Sequence, residues 1–204
     1  MHISWLGQTC VKIQTKNQDQ DALIVIDPYK PTTGNFPRSF SPNIVLFCGS
    51  SQNSATLSQD PFQIETLGEF ELKNIVIYSL PAGQGNKAFK IVSEEMTIVH
   101  LGRLTENIAN GEMEALLNPD ILLIPAGGSP SYITRKIAAN LATALEPRII
   151  IPIGYQCDTA PNDKQLNVFI SELGLKPENS DKKIIIKKKD LPAEETKLII
   201  LEKE

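Results

Sequence analysis

Ile44-Val45-Leu46-Phe47-Cys48-Gly49-Ser50-Ser51-Gln52-Asn53-Ser54 is an apolar run that stops in a loop of glycine, serine and amides. A buried strand ending in such a loop is where an α/β protein presents its chemistry, because backbone amides and short polar side chains meet there at a sheet edge. This loop holds no carboxylate, imidazole or lysine. It therefore offers no obvious acid, base or metal ligand of its own.

The pattern recurs on both sides of that stretch. Residues 2–15 alternate enough (Ile3, Trp5, then Val11, Ile13) for two short strands hinged at Gly7, and 23–26 form a buried strand closing in Asp27-Pro28. Residues 29–42 carry prolines at 31, 37 and 42 and read as a loop. Further on, 62–72 alternate like an exposed strand pair. The segment 75–80 is a strand ending in Pro81-Ala82-Gly83-Gln84-Gly85, and 88–92 with 97–99 form a hairpin that runs into His100-Leu101-Gly102-Arg103.

Helical signals come later. Residues 105–117 predict a helix stopped by Asn118-Pro119, and Ser131 is positioned to cap a helix over 132–145, with Ile133, Ile137, Leu141 and Leu145 on one face. Between them, 121–124 is a strand ending in Pro125-Ala126-Gly127-Gly128, and 149–151 is a strand ending in Pro152-Ile153-Gly154-Tyr155. A third helix is expected over 161–173, ended by Gly174, and the tail holds strands over 183–188 and 197–201. A strand-rich first half followed by strand-helix units predicts an αββα sandwich, two mostly antiparallel or mixed sheets with helices on the outer faces, in one domain spanning 1–204.

Composition narrows the function classes. Twenty Lys plus Arg against 24 Asp plus Glu give a net charge of -4, which leaves no basic excess for general nucleic-acid binding. Cys10, Cys48 and Cys157 lie far apart without a CxxC pair, which argues against a zinc knuckle or a disulfide framework and suits a reducing cytoplasm. No apolar run approaches the roughly 20 residues of a membrane span, and no secretory leader pattern opens the chain. A soluble cytoplasmic protein is expected.

Five strand-ending loops thus occur in order: Trp5-Leu6-Gly7-Gln8, Ile26-Asp27-Pro28, Gly49 to Ser54, His100-Leu101-Gly102-Arg103 and Ile151-Pro152-Ile153-Gly154. This succession resembles the metallo-β-lactamase fold superfamily, in particular its short branch of metal-dependent hydrolases related to ascorbate-phosphate lactonase, and the resemblance spans most of the chain. That branch carries W-L-G-H, I-D-P, a strand ending in T-H-x-H-x-D-H, a later histidine loop, H-x-G-D, P-x-G-G and finally P-x-H. The scaffold residues are present, but the ligands are not. The resemblance places Gly49, Ser51, Asn53 and Ser54 where the H-x-H-x-D-H ligands stand, Gln84 at or beside the later histidine, Arg103 at the aspartate and Gly154 at the last histidine; Gln8 replaces the histidine of W-L-G-H.

Zinc takes about four nitrogen, sulfur or anionic oxygen ligands, and its charge is what makes its bound water a nucleophile near neutral pH. Serine and asparagine are poor substitutes, glycine has no side chain, and the cation of Arg103 repels a metal. The expectation is a degenerate hydrolase fold with no cofactor and no catalytic residue, working in binding or assembly. The alternative is a hydrolase of a small phosphorylated or lactone substrate that uses no metal or a rearranged site.

The candidate residual pocket comprises Gly49, Ser51, Asn53, Ser54, Gln84, His100, Arg103, Gly154 and Tyr155, with a small anion as its ligand, because arginine and free backbone amides favour anions. Cys48 with His100 as a nucleophile pair, or Cys48, Cys157, Asp158 and His100 as a rebuilt metal site, are suitable in residue type, but spacing does not bring them together. Lys182-Lys183 and Lys187-Lys188-Lys189 read as a solvated edge strand rather than an RNA surface. A homo-oligomer or a hetero-partner is the remaining expectation.

Overall fold

The structure is a computed structural model describing residues 1–17, 19–83, 85–128 and 130–204, with Asn110 by its backbone alone. Sixteen strands are formed among these: β1 (His2–Gly7), β2 (Cys10–Asn17), β3 (Gln20–Ile26), β4 (Ser39–Phe40), β5 (Ile44–Leu46), β6 (Thr56–Leu57), β7 (Phe62–Ile64), β8 (Gly68–Leu72), β9 (Ile75–Pro81), β10 (Lys87–Ser93), β11 (Met96–His100), β12 (Ile121–Pro125), β13 (Ile149–Ile153), β14 (Pro177–Ser180), β15 (Lys183–Ile185) and β16 (Lys197–Leu201). The helices are α1 (Asn110–Met113), α2 (Arg135–Ala144) and α3 (Asn167–Leu173).

Two sheets form the sandwich. One has the order β15-β1-β2-β3-β5-β7 and the other β14-β16-β13-β12-β11-β10-β9-β8. Each is antiparallel in one half and parallel in the other: β3, β5 and β7 run parallel, as do β11, β12, β13, β16 and β14. The parallel registers are level, with Ile26 beside Leu46, and His100, Leu123 and Ile151 in line. The strands carrying the sequence motifs therefore finish at one end of the sandwich, and their loops meet there.

Alternation decides which core each side chain enters. Ile121 and Leu123 face inward with Ile24, Ile26, Ile44 and Leu46 in the core between the sheets, whereas Leu122 and Ile124 face outward into a second core closed by Ala138, Leu141 and Ala142 of α2 and Phe169 of α3. Among the described residues the helical cover is confined to the eight-stranded sheet. Over the six-stranded sheet, Val25, Leu6 and Cys10 are covered instead by Tyr29, Phe36, Phe40, Ala55 and Leu57, from the proline-containing loop and the small β4-β6 ribbon.

Several sequence expectations shift here. Residues 105–117 are not one helix: α1 spans a single turn, a 3-10 turn follows at 114–116, and Leu104, Ile108 and Leu116 reach the outer core from irregular backbone. The helix expected from 132 begins at 135, where the Thr134 side chain accepts from Ile137 N–H at 3.3 Å, while the Ser131 hydroxyl bonds Asp163 instead. The third helix is likewise shorter than 161–173 and ends, as expected, at Gly174 with φ +73°. Residues 62–72 are not a pair, because β7 and β8 join different sheets. In the tail only 183–185 remain extended before a 3-10 turn at 188–190, and β14 joins from residues with no apolar pattern.

The cap assignment is directly testable. Thr134→Ala is expected to lower unfolding stability by about 1 kcal/mol, as loss of an N-cap does, and Ser131→Ala by much less. Urea titration of the two variants checks this; the reverse ranking contradicts it.

Candidate functional site

The loops at the motif end are tied to one buried carboxylate. Asp27, at φ +48° and nearly fully buried, accepts the Thr9 hydroxyl at 2.8 Å and the Cys48 N–H at 2.7 Å. Thr9 C=O in turn accepts from His100 Nε2 at 3.0 Å, and Gly102 N–H donates to His100 Nδ1 at 3.0 Å. Gly154 N–H closes the ring on Gln8 C=O at 2.7 Å. All five motif loops are held in this one network.

Its geometry fixes the chemistry of His100 and Cys48. An imidazole whose Nδ1 accepts from a backbone amide carries its proton on Nε2 and is neutral. Burial lowers the His100 pKa, consistent with that state. Cys48 Sγ lies 3.5 Å from Nδ1, so the fold does bring together the two residues that spacing left apart. Both are fully buried, and desolvation together with the charge of Asp27 raises the Cys48 thiol well above its ordinary value. The pair is therefore a neutral packed contact, unlike the exposed thiolate that nucleophilic cysteines require. Gly102 makes this contact possible: at φ +56°, an added Cβ would lie 2.4 Å from Cys48 Sγ.

The other candidate positions are spread around the loop. Ser51 donates to Glu65 at 3.0 Å at the surface, and Ser54 to Ala55 C=O at 3.0 Å in a partly buried contact. Asn53 and Ser50 line a small cavity of about 120 Å³ with Asp27, Phe47 and Arg103. Gly49 leaves ordinary van der Waals space toward Asn86 and Arg103. Gln84 lies outside the described residues. Tyr155 is turned elsewhere: it stacks on Trp5 with ring centroids 4.2 Å apart, and its hydroxyl donates to Leu201 C=O.

Sequence reasoning missed Tyr132. A Cβ at Gly154 would sit 2.9 Å from the Tyr132 ring, so the tyrosine fills the room a side chain at that position would need. Tyr132 also lines, with Arg103, Gln8, Ser131, Thr159 and Asp163, a polar cleft of about 440 Å³. Arg103 lines both this cleft and the smaller cavity. Its side chain is exposed, and no ion pair engages it among the described residues. Within the larger cleft the acidic group is Asp163, whose pKa is raised by desolvation and drawn back by the Ser131 hydroxyl at 3.2 Å.

A divalent metal does not fit this donor set. Both nitrogens of His100 are engaged, Asp27 is spent on Thr9 and Cys48, and Gly49 and Gly154 have nothing to offer. Asp158, with Lys203 at 3.0 Å and Asn35 N–H at 2.8 Å, and Cys157, beside Thr159 at 3.3 Å, form no site with the buried pair. Among the described residues no group of three or more His, Cys, Asp or Glu could hold a metal ion.

The class defined by two packed sheets with strand-end loops gathered at one end is the metallo-β-lactamase fold. The profile of the Beta-lactamase superfamily domain matches residues 2–154, three quarters of the chain. The chain belongs to that family. Among solved structures it is similar to a candidate zinc-dependent hydrolase of the metallo-β-lactamase superfamily from Thermotoga maritima (TM-score 0.80, 21% identity, 98% of each chain covered). It is also similar to Igni18, a metallo hydrolase from Ignicoccus hospitalis (TM-score 0.61, 16% identity, 85% of this chain and 90% of that one). A third is the metallo-β-lactamase fold protein YhfI from Bacillus subtilis (TM-score 0.61, 8% identity, 98% and 95%). No curated protein matches in sequence.

The buried imidazole gives a pH signature. With the folded pKa of His100 lowered, the unfolded chain takes up a proton near pH 6.5 that the folded chain refuses. Stability is thus intact above about pH 6.5 and falls below it, by at most ~1.4 kcal/mol per unit. Urea unfolding at pH 7.5, 6.5 and 5.5 should show the decline well above the range near pH 4 where carboxylates titrate. A flat profile across those three points contradicts a neutral buried His100.

Proposed function

We propose that this chain is a catalytically silent member of its family that binds a small anion in the Arg103 cleft. The observation carrying the reading is Arg103 itself: a cation without an ion pair among the described residues, shared by two cavities at the convergence of the motif loops. A guanidinium there forms paired hydrogen bonds with a carboxylate or phosphate, in a cleft otherwise lined by polar side chains. The same charge disfavours a metal. Three free cysteines suit a cytoplasmic location, and no helix among the described residues is long and apolar enough to cross a membrane.

A second reading rests on Asp163. A carboxyl with a raised pKa beside a hydroxyl in a polar cleft is a reasonable base for activating water, and this favours metal-independent hydrolysis of a phosphorylated or lactone substrate. The cleft supplies Arg103 to such a substrate in either case.

One experiment separates the readings. Calorimetric titration with inorganic phosphate and simple dicarboxylates should show binding that weakens at least ~10-fold in Arg103→Gln, the loss of a charge-assisted pair. Assays with phosphodiester and lactone substrates in excess chelator should remain at background. No binding across the panel removes the anion reading; chelator-resistant turnover lost in Asp163→Asn establishes the second one.

A further inference from the structure

We infer that copies of this chain associate head to tail through the two opposite sides of the sandwich, an acidic side meeting a basic one. The topology makes the sides comparable. On one side the edge strands β7 and β8, belonging to different sheets, are joined by residues 65–67; on the other, β14 and β15 are joined by residues 181–182. Each side therefore presents the open edges of both sheets together. Backbone donors and acceptors on such edges are unpaired and accept a further strand.

The two sides carry opposite charge. Along β7, β8 and their link stand the exposed residues Glu65, Glu69 and Glu71, with Lys73 in the turn beyond. Along β15 and its flanks stand Lys182, Lys183, Lys187 and Lys189, exposed and without an ion pair among the described residues. Nearby acids are partly committed: Glu178 pairs with Lys197 at 3.3 Å, and Asp181 accepts the Lys182 N–H at 2.7 Å. Lys188 reaches Asp120 at 3.3 Å.

Apolar exposure falls on the same places. Of five large hydrophobic side chains that are exposed among the described residues, three lie on these sides: Phe62 (45%) and Leu67 (55%) on the acidic side, Ile185 (54%) on the basic one. Phe62 meets Phe70 edge-on, with centroids 6.2 Å apart, at the open margin between the sheets. Apolar contact thus adds to an attraction that opposite charge supplies and directs. Lysines on β15 and its flanks repel a second copy of that edge, and glutamates on β8 repel a second β8, so symmetric pairing of either edge with itself is disfavoured and only the mixed contact is left. A mixed contact repeats, closing as a ring or extending as a chain.

Sedimentation velocity across a concentration series tests this. At low ionic strength the protein should associate, and in about 1 M salt, where the Debye length is about 3 Å, it should return to monomer. Glu69→Lys with Glu71→Lys should be monomeric, as should Lys183→Glu with Lys187→Glu, and an equimolar mixture of the two should associate again, because each then offers the edge the other lacks. Urea unfolding confirms that both variants fold. If either does not, Lys183→Gln with Lys187→Gln should still weaken association about five-fold. Monomer at every concentration at low salt overturns the inference. Assembly unchanged in either variant also overturns it, and so does a wild-type protein that sediments faster only when RNA is added.

Discussion

The carboxylate of Asp27 is the constraint on which the functional end of the fold depends. A buried charge survives only where its oxygens are occupied by donors, and here they take the hydroxyl of one loop and the backbone amide of another. Through Thr9 the same carboxylate fixes His100, and through Cys48 it fixes the start of the 48–54 loop. Gly102 then packs on Cys48 at a distance no side chain permits. The five loops are positioned by hydrogen bonds among themselves, so their course requires no metal to organise it.

That independence is what the proposed reading requires, since it lets the family's fold stand without a metal at its centre. At the positions where the family resemblance leads one to expect histidine and aspartate ligands, this chain has glycine, serine, asparagine and arginine. Tyr132 occupies the space beside Gly154, and Arg103 stands between two cavities lined largely by polar groups. The anion reading proposed for this site rests on Arg103, whose fixed charge repels a cation placed beside it.

The sandwich and the order of its motif loops were legible in the sequence because both rest on local signals: apolar runs, Gly-Pro punctuation and short motifs. What the sequence hid is long-range. Cys48 and His100 meet because the loop after β5 in one sheet and the end of β11 in the other come together, and nothing in their spacing says so. Tyr132 looked like a first helical residue, since its packing on Gly154 is invisible in its own neighbourhood. Residues 62–72 alternate identically whether β7 and β8 share a sheet or not. Residues 105–117 carry helix formers, yet Leu104, Ile108 and Leu116 find their core without a continuous helix, and tertiary burial outweighed propensity there.

The proposed reading requires that this chain hold no metal, since no group of three or more His, Cys, Asp or Glu among the described residues could ligate one. Elemental analysis of protein purified without chelator addresses it directly. The account predicts zinc, iron and manganese each far below one atom per chain, before and after incubation with those ions and desalting. One or two tightly retained metal ions per chain would contradict it.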